Sequence, residues 1–346
     1  MEQRSDSNQK PEELTQKNVQ LDQQRVVLSE LASQILVELN ISSFNEFLKL
    51  VGPLKLVELM RPYKIRNTMY LALELRRKMN LTGNGPEAAA MIPYICYSSF
   101  TNPTDLTLEI KEKGAVLTAQ DCIWKNASPE FCVAFSRPAM RAICDVLNPE
   151  LDYVITHQLT NGDPYCRYIF KNKTTPFTDL DDMGKTLTTV PQLTNIPKEA
   201  RLQVKGYILW HFWSCLTEGM TDYCGPEKTL EILGANAYRV GVGAGTSLVQ
   251  SGMIKQRDVT GVGQLIDEFG RGSEQYGNVV RSSDAEYSKE IVRCPFTMGQ
   301  LSALCKQFEC FFNGICHAVN PKLQFNYSKM MTTGDQSCLW SVTKKT

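Results

Sequence analysis

Apolar residues early in the chain recur at helical spacing. From Leu21 onward, Val26, Val27, Leu31, Ile35 and Leu36 fall three to five residues apart or adjacent, which lines one face of a helix. This pattern predicts a helix that stops at Asn40. A second helix is predicted to start at Ser43, with Phe47, Leu48, Val51 and Leu54 on its apolar side. A third stretch runs from Ile65 to Met79 and ends at Asn80, ahead of Gly83-Asn84-Gly85. Pro86 suits the first turn of a helix through Ala88 to Ile95. The period then changes to two. Leu106, Leu108 and Ile110 alternate with polar residues, Lys113-Gly114 is a turn, and Val116-Leu117-Thr118 continues as a second strand. Ser128 caps a predicted helix that reaches Leu147 and is stopped by Asn148-Pro149. Leu151 to Ile155 and Tyr165 to Phe170 read as two strands of a hairpin turned at Thr160-Asn161-Gly162-Asp163.

The same pattern occurs twice. Cys122, Cys144 and Cys166 are spaced 22 and 22 apart, and so are Cys294, Cys316 and Cys338, at an offset of 172. At that offset Ile143 meets Ile315, Asn148-Pro149 meets Asn320-Pro321, Leu151 meets Leu323, Thr160 meets Thr332, and Gly162-Asp163 meets Gly334-Asp335. Between 143 and 166 there are nine identities in 24 positions. Chance at average composition would give about one or two. Gly85-Pro86-Glu87 and Gly225-Pro226-Glu227 repeat at an offset of 140, each opening a helix, so the second copy carries 32 extra residues before its sheet. Those residues include Gly261, Gly263, Gly270 and Gly272 and predict an added helix with glycine-rich borders.

The expected fold is therefore α+β, with two homologous β-β-α-β-β domains and packed helices forming a tandem pseudo-dimer. The boundaries are a disordered tail over 1–20, a helical extension over 21–65, a first repeat over 66–174, a linker over 175–204 and a second repeat over 205–346. Retained Gly162 and Gly334 fit a turn that needs a positive φ.

Charge narrows the partners. Lys+Arg and Asp+Glu are each 37, so the net charge is zero and the basic excess of a nucleic-acid binder is missing. No apolar run has the length of a membrane helix, and Met1 to Asp6 lacks the apolar core of a secretory signal. A cytoplasmic chain with reduced thiols and neither a nucleic-acid nor a membrane partner is expected.

Twelve cysteines is a high count, and three kept in each copy point to a shared task. Cys122 precedes a helix, where a thiolate is favoured, whereas Cys144 lies at a helix C-terminus, where it is not. A β-β-α-β-β unit is expected to gather Cys122, Cys144 and Cys166 at one end of the helix, and Cys294, Cys316 and Cys338 likewise. Such triplets would hold zinc or an iron–sulfur cluster, although the short Cys-x-x-Cys pairs usual in such sites are missing. The histidines are His157, His211 and His317, and none is kept between the copies, so a Cys–His pair working identically in both is excluded. Asp163 and Asp335 each precede a kept cysteine by three residues. Such an Asp either stabilises its own turn or orients water or a substrate amine beside the thiol. Gly241-Val242-Gly243-Ala244-Gly245-Thr246 follows no strand and lacks the Gly-Lys-Ser/Thr of a phosphate loop, so a tight helix crossing is the better reading. Trp210, Phe212 and Trp213 read as core.

The segments Leu147-Asn148-Pro149-Glu150-Leu151-Asp152-Tyr153 and Gly162-Asp163-Pro164-Tyr165-Cys166-Arg167-Tyr168 resemble the L-2-amino-thiazoline-4-carboxylic acid hydrolase family. Asn320-Pro321-Lys322-Leu323-Gln324-Phe325 and Gly334-Asp335-Gln336-Ser337-Cys338-Leu339-Trp340 carry the same likeness. Cys294-Pro295-Phe296 is similar to the related 4-vinyl reductase type of small-molecule-binding domain, and Cys122-Ile123-Trp124 stands in its place in the first copy. The resemblance implies hydrolytic opening of a small cyclic C–N substrate. Cys122 or Cys166, with Cys294 or Cys338 in the other copy, would be nucleophiles, and Asp163 or Asp335 would position water. The alternative it implies is a non-catalytic module that binds a small molecule or a metal. A third reading is an assembly protein whose tail and extra helix bind a partner.

Overall fold

A computed structural model describes residues 11–191, 198–271, 275–294 and 302–345. The sequence expectations for residues 1–10, for Gly272 and for Pro295-Phe296 lie outside the described residues.

The N-terminal pattern folds as α1 (Pro11–Val51) and α2 (Pro53–Lys78). The helix therefore extends back into the stretch expected to be a disordered tail. It also passes through Asn40, where a stop was expected. Asn40 is buried, and its side-chain amide donates to the Leu36 carbonyl (2.8 Å) and to the Leu209 carbonyl (3.1 Å). An Asn that bonds back along its own helix and across to another satisfies its amide without breaking the helix. The break comes instead at Gly52, whose φ of 75° precedes Pro53. Pro86 opens α3 (Pro86–Ser98), as its fixed φ allows.

Next come β1 (Leu106–Lys111), β2 (Gly114–Ala119), α4 (Pro129–Leu147), β3 (Leu151–His157), β4 (Cys166–Asn172) and β5 (Thr186–Thr189). The second half has α5 (Lys198–Thr229), α6 (Ala235–Gln250), α7 (Val259–Arg271), β6 (Tyr276–Ser282), β7 (Glu286–Arg293), α8 (Ser302–Val319), β8 (Leu323–Lys329) and β9 (Cys338–Lys344). The fold is α+β with two antiparallel sheets, in the orders β3-β4-β2-β1-β5 and β8-β9-β7-β6. Apart from β5 the orders correspond. The registers correspond too. Ala119 faces Cys166 and Ile291 faces Cys338, while Leu151 faces Asn172 and Leu323 faces Lys344. β5 comes from the stretch expected to be a linker. It pairs with β1 at Glu109, Ile110 and Lys111, and the buried Met183 anchors the loop that leads to it.

The residues kept at offset 172 make the same turns. Asn148 and Asn320 each accept the backbone N–H two residues on, at 3.0 and 3.1 Å. Gly162 and Gly334 have φ of 86° and 103°, the left-handed conformation that glycine takes without a Cβ penalty.

The helical layer is organised by α5. Trp210 and Trp213 are buried edge-on to Phe308 of α8, at 4.2 and 4.4 Å between ring centroids. Phe212 faces the other way, with its centroid 3.5 Å from that of Phe135 and 4.6 Å from that of Phe131, both on α4. The glycine run on α6 is a helix crossing, as its spacing implied. A Cβ at Gly241 would lie 2.1 Å from the Phe311 carbonyl oxygen, and one at Gly314 would lie 2.3 Å from that of Tyr238. The added helix of the second half is α7, which lies against β7: Gly263 has no Cβ where the Tyr287 ring sits. Lys289 of β7 and Asp267 of α7 form a buried ion pair beneath it.

Gly241→Ala forces backbones apart and should lower stability by about 1–3 kcal/mol in urea unfolding. Asp267→Ala strands a buried ammonium and should lower stability by about 3–5 kcal/mol. The double variant Asp267→Ala/Lys289→Met should recover most of that loss.

Candidate functional site

The structure gathers a thiol group in each half, but not the one expected. In the first half it comprises Cys122, Cys132 and Cys166. Trp124 N–H donates to the Cys122 sulfur (3.4 Å), Leu159 N–H to Cys166 (3.3 Å) and the Thr160 hydroxyl to Cys132 (3.1 Å). Tyr168 lies beside all three, and its hydroxyl is 2.7 Å from that of Tyr97. In the second half, Met331 N–H donates to Cys338 (3.2 Å), and Cys305 is 3.2 Å from the Thr332 hydroxyl. The half-buried Tyr327 lies beside Cys305, Cys294 and Cys338.

Cys144 and Cys316 do not belong to these groups. Cys132 is the fourth residue of α4 and Cys144 lies twelve residues on, about 18 Å along a helix at 1.5 Å per residue. β3 starts beside the helix C-terminus and β4 runs back antiparallel to it. Cys166, which opens β4, therefore lies at the opposite end from Cys144. The sequence missed Cys132 and Cys305 because they correspond at offset 173. One residue is lost within the helix before the frame returns to 172. Phe135 and Phe308 repeat at the same shifted offset and mark the place.

Burial sets the chemistry of these thiols. It raises Cys122 well above the ordinary thiol range, with Cys166 adding to the effect, and it raises Cys132 and Cys338. Cys166 and Cys305 are pushed up to about 11, and Cys144 and Cys316 to about 12. The expected low-pKa thiol at Cys122 is thus corrected: desolvation outweighs any benefit of the nearby helix start. Asp163 and Asp335 face their own turns. Each carboxylate accepts a backbone N–H five residues back at 2.7 Å, from Gln158 and from Met330.

Zinc or an iron–sulfur cluster needs several deprotonated ligands converging on one point. Among the described residues no group of three or more His, Cys, Asp or Glu converges in that way. The thiols that do lie together are held protonated by burial and are occupied by N–H and O–H donors. The residues present do not fit either group. None of the twelve cysteines forms a disulfide.

A second polar cluster lies between α2 and α5, which pack antiparallel with rungs between them. The Tyr63 hydroxyl bonds to Asp222. Arg66 reaches both Glu218 oxygens at 2.6 Å, and the Asn67 amide donates to the Cys215 sulfur at 3.1 Å. Tyr70 and Tyr207 flank the His211 ring, at 6.4 and 4.0 Å between centroids. Both ring nitrogens of His211 are shut from solvent, and neither has a hydrogen-bond partner among the described residues. Burial, with Lys64 and Arg66 adding to it, pushes its pKa down to about 3.

Lys64 lies in the same cluster. Its Nζ is 5.8 Å from the centroids of the Phe135 and Phe212 rings. Cys215, Cys96 and His211 are close enough for their charges to act on it, or its charge on them. The residue is half-buried, and desolvation lowers its pKa against the opposing effect of Cys215 and Cys96. Among the described residues no carboxylate pairs with it. Burial pushes Cys96 up to about 12 and Cys215 up to about 11. Sequence reading took α5 only as an apolar helix. A recurrent polar face was legible in Tyr207, His211, Cys215, Glu218 and Asp222, which fall three or four residues apart. Two surface grooves, of about 460 Å³ between α1 and α6 and about 450 Å³ along α2 beyond Leu54, are lined by other residues.

Thiol alkylation followed by peptide mass spectrometry should modify the half-buried Cys224, Cys294 and Cys310 first. Cys122, Cys132, Cys166, Cys305 and Cys338 should react only with unfolding, and rapid native labelling of these five would contradict their burial.

Compared with known protein families, curated proteins and solved structures, this chain matches none of them.

Proposed function

We propose that the chain is a non-catalytic small-molecule-binding protein, with its ligand taken up in the seam between α2 and α5. The observation that carries this reading is His211. An imidazole with both nitrogens buried and unpartnered costs about 1–3 kcal/mol relative to a satisfied one. A ligand that hydrogen-bonds to it would recover that free energy. The neighbouring Lys64 nitrogen, set over two aromatic rings without a counter-ion, points to the same place.

The hydrolase function implied by the sequence resemblance needs a thiolate. Cys122, Cys166, Cys294 and Cys338, with Asp163 and Asp335, were its candidates. The described geometry favours a structural role for the pairs Cys166 and Cys338, and Asp163 and Asp335, which hold hairpins through backbone N–H groups. The same seam supports an intramolecular pseudo-dimer. At the 140-residue offset α2 corresponds to the first part of α5. Antiparallel packing of corresponding helices is the contact a two-fold relation between the repeats would produce.

The pH dependence follows from the sign of the His211 shift. Its folded pKa, about 3, lies below the 6.5 of the unfolded chain. Between those values the unfolded state binds the extra proton, so this contribution to stability is present above pH 6.5 and is lost as pH falls toward 3. The slope is at most about 1.4 kcal/mol per pH unit for one group. His211→Phe should flatten urea-unfolding stability across that window and leave the ligand-free protein as stable or more so at pH 7. A panel of aromatic amines, acids, aldehydes and thiazolines should contain compounds that raise the wild-type Tm. At a hundredfold excess over Kd the gain is about 2.7 kcal/mol. His211→Phe should lose that response. Turnover of a thiazoline, or ligand shifts that His211→Phe leaves unchanged, would overturn the reading.

A further inference from the structure

We propose that the chain pairs with a second copy of itself through the outward face of α2, in an antiparallel contact whose two-fold axis passes between Leu59 and Met60. This inference goes beyond the ligand reading and does not rest on it.

The groove of about 450 Å³ along α2 is lined by Leu54, Val57, Glu58, Arg61, Pro62 and Ile65, all from one helix. It follows two rows of side chains at four-residue spacing, Leu54-Glu58-Pro62 and Val57-Arg61-Ile65. The space between two such rows is what a row of side chains on another helix fills. Among the described residues nothing fills it: Leu54 is 87% exposed, and Glu58, Arg61 and Pro62 are exposed with it. The groove also faces away from α5. Leu54 precedes Tyr63 by nine residues, two and a half helical turns, and the Tyr63 hydroxyl meets Asp222 of α5.

The order of residues along the groove selects the occupant. From one end it runs apolar, apolar, acid, and from the other apolar, apolar, base. An antiparallel second copy therefore sets Leu54 against Ile65 of that copy, Val57 against Pro62 and Glu58 against Arg61, and each contact is made twice. A self-complementary patch of this kind is what a two-fold interface requires. A parallel pair would set Glu58 against Glu58 and Arg61 against Arg61. Arg61 pairs with no carboxylate among the described residues, and the ion pair of Glu58 is an exposed one with Lys55, three residues back at 2.8 Å. Exposed pairs of that kind contribute little and leave Glu58 available. The groove spans about 18 Å of helix at 1.5 Å per residue. That is less than the roughly 800 Å² per partner of a standard interface needs, so the dimer is reversible, with a Kd in the micromolar range.

The test is sedimentation velocity on the full chain from about 5 to 500 μM, a range that brackets a micromolar Kd. The wild type should pass from monomer to dimer. Leu54→Asp should raise Kd about tenfold or more, because it places a charge in the apolar contact. Glu58→Arg and Arg61→Glu each set like charges together and should do the same. All three positions are exposed, so the folded monomer should survive, as circular dichroism can check. An equimolar mixture of the Glu58→Arg and Arg61→Glu chains restores opposite charges at both contacts and should dimerise at least as tightly as the wild type. A wild type that stays monomeric at 500 μM would overturn the proposal and leave the groove to a helix of another protein. A dimer that the three substitutions leave unchanged would overturn it by placing the contact elsewhere. Single variants that dissociate but do not recover on mixing would overturn the antiparallel register.

Discussion

The structure depends on one helix having three different faces. Trp210 and Trp213 of α5 pack on α8, Phe212 packs on α4, and Tyr207, His211, Cys215 and Glu218 meet α2. The first two contacts bury large aromatic surfaces, each worth roughly 1.5–3 kcal/mol for a fully buried side chain. They fix α5 against α4 and α8. The third face cannot choose its own place. It is brought against α2 by the packing of the other two, so its polar groups must find partners there or go without.

That order of cause explains the seam. Most of its groups are satisfied because antiparallel helices present side chains at matching heights: Tyr63 to Asp222, Arg66 to Glu218, Asn67 to Cys215. At the next level the partners of the His211 ring are tyrosine rings, which cover it without offering its nitrogens a hydrogen bond. A helix pair held only by its own seam would not keep such an arrangement. Here the aromatic faces of α5 supply the stability that lets it persist, as rigid surroundings do for functional sites elsewhere.

Much of the α+β architecture was legible where a short-range rule decides it. Period-two alternation placed β1 and β2, and Asn148-Pro149 with Gly162 placed the end of α4 and the β3–β4 turn. Repetition placed the corresponding elements of the second half. The misreadings came where long-range contacts override local propensity. Asn40 looked like a helix stop because its partner, the Leu209 carbonyl, lies 169 residues away. Thr186–Thr189 looked like a linker because a four-residue strand has no period of its own, and its pairing with β1 decides its state. The thiol triplets were misassigned for a topological reason. Equal spacing of 22 residues says nothing about which end of an antiparallel unit each residue reaches.

The identities at offset 172 also separate what the fold requires from what a ligand would require. Asn148 and Asn320, Gly162 and Gly334, Asp163 and Asp335, and Cys166 and Cys338 each make the same local bonds in both halves. Those bonds are sufficient reason for the residues to be kept. His211 and Lys64 have no such counterparts: at the 140-residue offset they meet Leu71 and Val204. Under the proposed two-fold relation a repeated ionisable residue near the centre of the α2–α5 seam would meet its own copy, and a single His211 and a single Lys64 avoid that meeting.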